Sequence, residues 1–218
     1  MKKIKLQPAQ EEIEIGKIIC VGRNYAKHAE ELGNIVPENP FLFLKPSSVF
    51  IPSGEEITYP SYSNEMHHEV ELVVLIGEEI KNADPKEAED AILGYAVGLD
   101  MTLRDVQTKL KSKGHPWTLA KVFDGAGVVG EFISKNEYNY TGEENIKLWI
   151  NDELKQSSQL KNMLTSPVNL IVYISTIMKL ERGDLIFTGT PEGVGVVNKG
   201  DIITAEIEKC KKIETIVK

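Results

Sequence analysis

The 218-residue chain contains two cysteines, no CxxC pair and no apolar run long enough to cross a bilayer. Cys20 and Cys210 stand far apart in the sequence. A disulfide framework is therefore not expected, and two lone thiols fit a reducing, cytoplasmic compartment. A membrane helix needs about 20 consecutive apolar residues, and a secretory leader needs an apolar core behind its basic start. Neither follows Met1-Lys2-Lys3. A surplus of cations is missing as well: 25 Lys and Arg face 33 Asp and Glu, for a net charge of −8. The lysines are scattered, with only short pairs such as Lys2-Lys3 and Lys211-Lys212. No basic patch is available for a nucleic-acid backbone or an anionic membrane surface, so neither is an expected partner. There is no internal repeat and no low-complexity tract.

What remains is an ordinary globular composition, with 41% hydrophobic and 27% charged residues. The length suits one well-buried domain, or at most two small ones. The stretch that organises the chain is His67-His68-Glu69-Val70-Glu71-Leu72-Val73-Val74-Leu75-Ile76-Gly77. Its Val, Ile and Leu content predicts a strand over residues 69–76, buried on both faces. Side chains alternate along a strand, so Glu69 and Glu71 share one face. Two neighbouring carboxylates on a buried face repel one another and cost several kcal/mol unless neutralised. Two readings stay open at this point: a divalent cation between them, or a solvated strand start.

The other elements follow in order. Residues 1–15 read as a short polar lead with one possible strand, and Gly16 as a turn. A strand at 17–21 leads through Gly22-Arg23-Asn24 into a helix over 25–32, stopped by Gly33-Asn34. On that helix His28 and Glu31 are three apart and share a face; they form a surface ion pair or a base with its orienting acid. Residues 33–39 read as an exposed loop. A strand at 41–45 ends in Lys45, as a solvated strand end or a pocket cation. A second apolar strand over 92–99 ends at Asp100, which is placed to be a ligand or to cap a helix over 102–113, where Thr102 offers an alternative cap. Arg104 and Gln107 are three apart on that helix. Lys121 and Asp124 fall in a loop before a strand at 127–129. The hairpin about Asn151-Asp152 carries no chemical signal. Ser166-Pro167 caps a helix to about Leu180, with Leu170, Ile171, Ile174 and Ile177 as its core face. A strand at 185–188 precedes Gly189-Thr190-Pro191-Glu192-Gly193-Val194-Gly195. That loop is neither a P-loop nor a Rossmann turn, but its amides and Thr190 offer donors for a small carboxylate. Strands outnumber helices, which predicts a single β-rich α+β domain of mixed sheets.

Glu69, Glu71 and Asp100 lie at strand positions with no partner nearby in sequence. Three oxygen donors suit a hard cation, Mg²⁺ first, with Mn²⁺ or Ca²⁺ as alternatives. The lack of a Cys or His cluster speaks against zinc. Three protein ligands leave about three of the six Mg²⁺ positions for water or substrate, which points to a Lewis acid rather than a structural ion.

Taken together, Val21-Gly22-Arg23-Asn24-Tyr25, His67 through Leu72, Leu99-Asp100-Met101-Thr102 with Arg104-Asp105-Val106-Gln107, Pro116-Trp117-Thr118-Leu119-Ala120-Lys121 and Thr188 through Gly195 resemble the fumarylacetoacetate hydrolase family. The resemblance runs from about residue 16 to the C-terminus. It is nearest the short, single-domain branch that includes acylpyruvate hydrolases and oxaloacetate decarboxylases. It implies a catalytic domain over 16–218 behind a lead of residues 1–15, with mixed sheets in a roll or sandwich and a few short helices. It implies Glu69, Glu71 and Asp100 as metal ligands, and His28 and Glu31 under a lid at 33–40, positioning or activating a water. Lys121 is implied at the enolate oxygen, Arg104 and Gln107 at the 2-oxo acid and Thr190 at its carboxylate. Arg23 is given a structural or pocket role. The implied activity is Mg²⁺-dependent cleavage of the C3–C4 bond of a 3-acylpyruvate or of oxaloacetate, through a metal-bound pyruvate enolate, in a homodimer. A second reading is isomerisation or decarboxylation of a 2-hydroxyhepta-2,4-diene-1,7-dioate type substrate. A third is a non-catalytic metal- or ligand-binding domain.

Overall fold

The computed structural model describes residues 2–138 and 140–218. The strand Val70–Ile76 runs through the middle of the largest sheet, and all seven of its residues are buried. Burial on both faces is what its unbroken apolar sequence requires. It pairs antiparallel with Ile92–Asp100 on one side and with Leu185–Phe187 on the other. Across the sheet the order is Glu11–Glu14, Lys3–Gln7, Phe132–Ser134, Ile92–Asp100, Val70–Ile76, Leu185–Phe187, Ile18–Gly22 and Phe41–Lys45. Gly127–Val129, with Phe50–Pro52 beside it, continues from the far end of Ile92–Asp100. Most pairs are antiparallel, but Leu185–Phe187 with Ile18–Gly22, Lys3–Gln7 with Phe132–Ser134 and Gly127–Val129 with Phe50–Pro52 are parallel.

A second sheet has the order Glu153–Gln159, Asn145–Ile150, Ile202–Ile207, Ile213–Val217 and Glu56–Ile57. It packs on the first where Asn145–Ile150 meets Val70–Ile76 and where Ile202–Ile207 meets Ile92–Asp100. Its alternating side chains Ile146, Leu148 and Ile150 are buried, and they close the shared core. A small third sheet joins Thr102–Leu103, Met66–His68 and Gly195–Val197. The helices are few and short: Ala26–Glu31, Pro85–Asp90, Arg104–Ser112, Thr118–Lys121 and Pro167–Ile177. None is long and apolar enough to cross a membrane. This is the mixed-sheet, β-rich α+β domain that the sequence predicts.

Several details differ from the sequence reading. The first residues form an antiparallel hairpin, Lys3–Gln7 with Glu11–Glu14, that extends the main sheet; its alternating Ile4, Leu6 and Ile13 are buried. The helix after Asp100 starts at Arg104, because Thr102 and Leu103 pair as a strand with Met66–His68. Neither Asp100 nor Thr102 caps it; the residue at the cap position is Leu103, with no side-chain hydrogen bond. Lys121 ends a short helix and does not lie in a loop. The helix begun by Ser166 and Pro167 stops at Ile177, three residues early, and Ile177 is exposed while Leu170, Ile171 and Ile174 are buried. Leu180 instead pairs its backbone with Ile80. Cys20 and Cys210 are both free.

Candidate active site

Strand register brings the carboxylates together. Glu71 lies on Val70–Ile76 directly opposite Gly98. A Cβ at residue 98 would come within 2.5 Å of Val73 Cγ2 and 2.9 Å of the Phe187 ring, so the close approach at this point needs glycine. Asp100 is the last residue of its strand, two past Gly98. Glu69, the first residue of the strand expected over 69–76, instead occupies the break between Met66–His68 and Val70–Ile76, one residue before the observed strand begins. Its carbonyl accepts from Asp100 N–H at 2.9 Å, which locks the two backbones together. All three side chains are buried, and each brings an oxygen within 4.8 Å of the others. The solvated-strand-start reading of Glu69 and Glu71 is thereby excluded.

Buried cations answer two of the three acids. Lys121 Nζ lies 2.9 Å from Glu69 Oε2 and 2.7 Å from Asp100 Oδ2. Lys45, left open by the sequence, is a buried pocket cation: its Nζ is 2.6 Å from Asp100 Oδ1 and donates to Ala126 O. The Arg104 guanidinium donates to the other oxygen of Glu69 and to Gln107 Oε1. Burial alone would raise the Glu69 carboxyl, but Lys121 and Arg104 outweigh it and hold the group well below the usual carboxylate range. Burial likewise opposes the charge on Lys121, while Asp100 and Glu69 more than restore it and push its proton affinity up.

Glu71 is the exception. Its one hydrogen-bond donor among the described residues is Gly189 N–H, at 2.7 Å. Burial, with the charges of Asp100 and Glu69, pushes its carboxyl well above the ordinary value. Asp100 Oδ1 also lacks a well-directed hydrogen bond, although Lys45 is close. Three buried carboxylates, one of them without a cationic partner, fit a hard divalent cation ligated through oxygen.

The pocket above the carboxylates is lined by Arg23, His28, Arg104, Gln107, Lys111, Lys121 and Thr190, among others. His28 sits on Ala26–Glu31 and is buried, with Nδ1 turned toward Glu31 Oε2 at 3.5 Å. That nitrogen makes no hydrogen bond. Burial lowers the ring's proton affinity more than Glu69 raises it, which favours the uncharged imidazole. Glu31 lies at the rim, about one-third exposed, where its carboxylate accepts from Gly193 N–H at 3.1 Å. Arg23 is in the left-handed region, with φ of 61°, and its guanidinium lies over the Phe41 ring. The structure thus brings nine of the ten candidate residues to one pocket and places Glu31 at its edge, behind His28.

Three positions at or behind the candidate site were given no role from sequence. Gln156, on the hairpin that carries no sequence signal, is buried; its amide donates to Thr190 Oγ1 and to Pro191 O, and its carbonyl accepts from Val70 N–H. The same carbonyl oxygen is 3.0 Å from His68 Nδ1, so Gln156 fixes both Thr190 and the strand that carries Glu71. Asn24 ties the turn after Ile18–Gly22 to Thr165 and Thr188 through three hydrogen bonds. Its signal was present in the Gly22-Arg23-Asn24 turn, where Asn is a turn-former. Lys111, at the outer end of Arg104–Ser112, stands four residues past Gln107 on the helix, a spacing that assigns it no role by itself.

The sequence profile described as fumarylacetoacetate (FAA) hydrolase C-terminal matches residues 17–218. The chain is 46% identical over 197 residues to a bovine protein named oxaloacetate tautomerase FAHD1, mitochondrial, covering 89% of this chain and 88% of that one. It is 45% identical over 194 residues to the Dictyostelium discoideum protein named oxaloacetate decarboxylase, mitochondrial, covering 88% of each. Among solved structures it superposes on fumarylpyruvate hydrolase from Pseudomonas aeruginosa, crystallised with Mn²⁺ and pyruvate, with a TM-score of 0.95 and 34% identity over 99% of this chain and 95% of that one. The chain belongs to the fumarylacetoacetate hydrolase family and is an enzyme of that family.

Proposed function

We propose that the enzyme acts on a short 2-oxo acid, oxaloacetate first, by forming its enolate at the carboxylate cluster. Proton transfer at C3 interconverts the keto and enol forms. Cleavage of the C3–C4 bond, by loss of CO₂ from oxaloacetate or by hydrolysis of a 3-acylpyruvate, draws on the same stabilised enolate. The observation that carries this reading is a buried imidazole whose Nδ1 makes no hydrogen bond, in the same pocket as a buried carboxylate with no cationic partner among the described residues.

A divalent cation held by Glu69, Glu71 and Asp100, with Mg²⁺ as the first choice and Mn²⁺ as the ion beside pyruvate in the Pseudomonas aeruginosa structure, would polarise the keto group. Arg104, Gln107 and Thr190 bind the 1-carboxylate: Gln107 offers its amide N–H groups, because its carbonyl is already taken by Arg104. Lys121 places a fixed positive charge at the developing enolate oxygen, where it counts for more in the transition state than in the ground state. His28 has its Nδ1 toward Glu31, which leaves Nε2 as the base for the C3 proton, and Glu31 stabilises the imidazolium that results. With an acylpyruvate the same pair takes a proton from the attacking water. A homodimer and a cytoplasmic setting belong to the same reading.

The test follows the decay of enol-oxaloacetate absorbance, with pyruvate release from oxaloacetate, acetylpyruvate and fumarylpyruvate, in Mg²⁺ and in EDTA, after subtraction of the metal-only rate. Metal-dependent turnover is expected, and His28→Ala lowers it about 10²- to 10⁴-fold while oxalate still binds. Full activity in His28→Ala would overturn the role of the imidazole, and turnover undiminished by EDTA would overturn that of the cation.

A further inference from the structure

Four cationic side chains line the pocket: Arg23, Arg104, Lys111 and Lys121. Lys121 and Arg104 are matched by Glu69 and Asp100. Arg23 and Lys111 are matched by no carboxylate among the described residues. Lys111 Nζ donates to the side-chain oxygen of Asn34 at 3.1 Å, and the Arg23 guanidinium lies 5.7 Å from the Phe41 ring centroid. Both contacts leave the charge uncompensated.

The placement of these two cations is systematic. Arg104, Gln107 and Lys111 fall at i, i+3 and i+7 of one helix, hence on one face. That face runs outward from the carboxylate cluster, with Arg104 and Gln107 at its inner end and the exposed Lys111 at its outer end. Arg23 comes to the same pocket from a different segment, held with φ of 61° in a turn that Asn24 fastens to two other segments. A left-handed arginine is uncommon, and the turn that enforces it directs the residue to the pocket. Burial, together with the fields of Arg23 and Arg104, lowers the proton affinity of Lys111, so the three cations act on one space. In a chain of net charge −8, two cations at the pocket with no ion pair among the described residues are suited to seating an anion; the Glu31 carboxylate at the rim is turned to His28 and to Gly193 N–H instead.

We propose that Arg23 and Lys111 seat the second carboxylate of a dicarboxylate 2-oxo acid, so that the enzyme selects diacids over acids with a neutral distal end. This rests on the enolate reading of the same pocket: the 1-carboxylate and keto group go to the cluster, and the distal carboxylate reaches the two free cations. A monoacid would leave both of them unanswered.

The test compares kcat/KM for enol-to-keto conversion of oxaloacetate and of its C4 monoethyl ester, which keeps the chain and removes the distal charge. The variants are Lys111→Met, Lys111→Arg and Arg23→Asn, the last because asparagine tolerates the left-handed turn. Wild type is expected to prefer the diacid. That preference falls about 10-fold or more in Lys111→Met and in Arg23→Asn, falls further in the double variant, and is retained in Lys111→Arg. It also weakens as ionic strength rises. A diacid-to-ester ratio unchanged in the variants overturns the seat and leaves the enolate reading standing, as does an equal fall on both substrates. Absence of metal-dependent turnover of either substrate by wild type overturns the enolate reading, and the seat with it.

Discussion

Replacing Glu71 with glutamine should abolish cation binding and, in the same step, stabilise the cation-free protein at alkaline pH. Glu71, Glu69 and Asp100 each bring an oxygen within 4.8 Å of the others. At an effective dielectric of about 20, each like-charged pair at that separation costs roughly 3 kcal/mol. Lys121 and Lys45 compensate Glu69 and Asp100, so Glu71 bears the cost: burial first, then the charges of Asp100 and Glu69, raise its carboxyl from its ordinary 4.5. A group raised in the folded state holds its proton there more tightly than in the unfolded chain. Stability is then greatest below the ordinary value and is lost as pH rises toward the folded one. Glutamine does not titrate. Without cation at pH 8, Glu71→Gln should exceed wild type by about 1–3 kcal/mol, and the gap should close near pH 5. For a chain of this size about 1 kcal/mol moves Tm by roughly 2–4 °C, so the gain is on the order of 3–10 °C. With Mn²⁺ at about 100 times its Kd, wild type gains roughly 2.7 kcal/mol and the variant gains nothing. Thermal scans at pH 5 and pH 8, in EDTA and in Mn²⁺, measure all four states. An equal Mn²⁺ increment in the variant, or a variant less stable than wild type in EDTA at pH 8, would refute the reasoning.

Three further outcomes are expected. His68 is pushed down to about 4 by burial, so it is neutral in the fold; its contribution is complete above pH 6.5 and is lost as pH falls toward 4, amounting to about 3 kcal/mol. In urea unfolding, wild type should therefore lose stability relative to His68→Gln, by up to about 3 kcal/mol, as pH falls from 7.5 toward 4, and a constant difference between the two would contradict this. Asn24→Ala removes three hydrogen bonds of 2.7–2.9 Å and leaves a buried Thr188 carbonyl unpaired, so a loss of about 2–4 kcal/mol is expected in urea unfolding. Gln156→Leu releases Thr190 and also removes the acceptor of Val70 N–H beside Glu71; calorimetry should show oxalate affinity reduced about 10-fold, with Mn²⁺ affinity reduced less because all three carboxylates remain.

The sequence carried the site better than it carried the element boundaries. A buried acidic pair in an otherwise apolar strand is legible because its cost is large and local; Glu69 and Glu71 announce themselves. Asp100 is legible for the same reason, although its alternative as a helix cap failed only because Thr102 and Leu103 are taken by strand pairing with His67 and Met66. That pairing is long-range, and no local propensity reveals it. Lys45 could not be decided from its position at the end of a strand, since its burial depends on Ala126 and Met101, far along the chain. Gln156 was invisible for a related reason. Within Glu153–Gln159 it is the one fully buried residue of a polar strand, because that strand crosses behind the Thr190 loop. The first hairpin was underestimated because Lys3–Gln7 and Glu11–Glu14 are charged on one face, and its buried face finds a partner only at Phe132–Ser134.

The division of charge in the cluster bears on how the cation relates to folding. In small zinc domains the ligands have no partners without metal, and folding waits for it. Here the fold supplies its own cations. Asp100 is held by Lys45 and Lys121, and Glu69 by Lys121 and Arg104, with all five side chains largely buried. A buried ion network of this kind adds little net stability, but breaking one member costs several kcal/mol. The network therefore fixes geometry, and it leaves one carboxylate, Glu71, to answer to an added cation. Glu71 lies on the central strand, but its apolar neighbours pack without it: Val70, Leu72, Val73, Val74, Leu75 and Ile76 are all buried in the hydrophobic core. Removal of the cation is then a local event, worth the few kcal/mol of one binding equilibrium, and EDTA should switch off turnover while leaving the fold and the pocket walls in place.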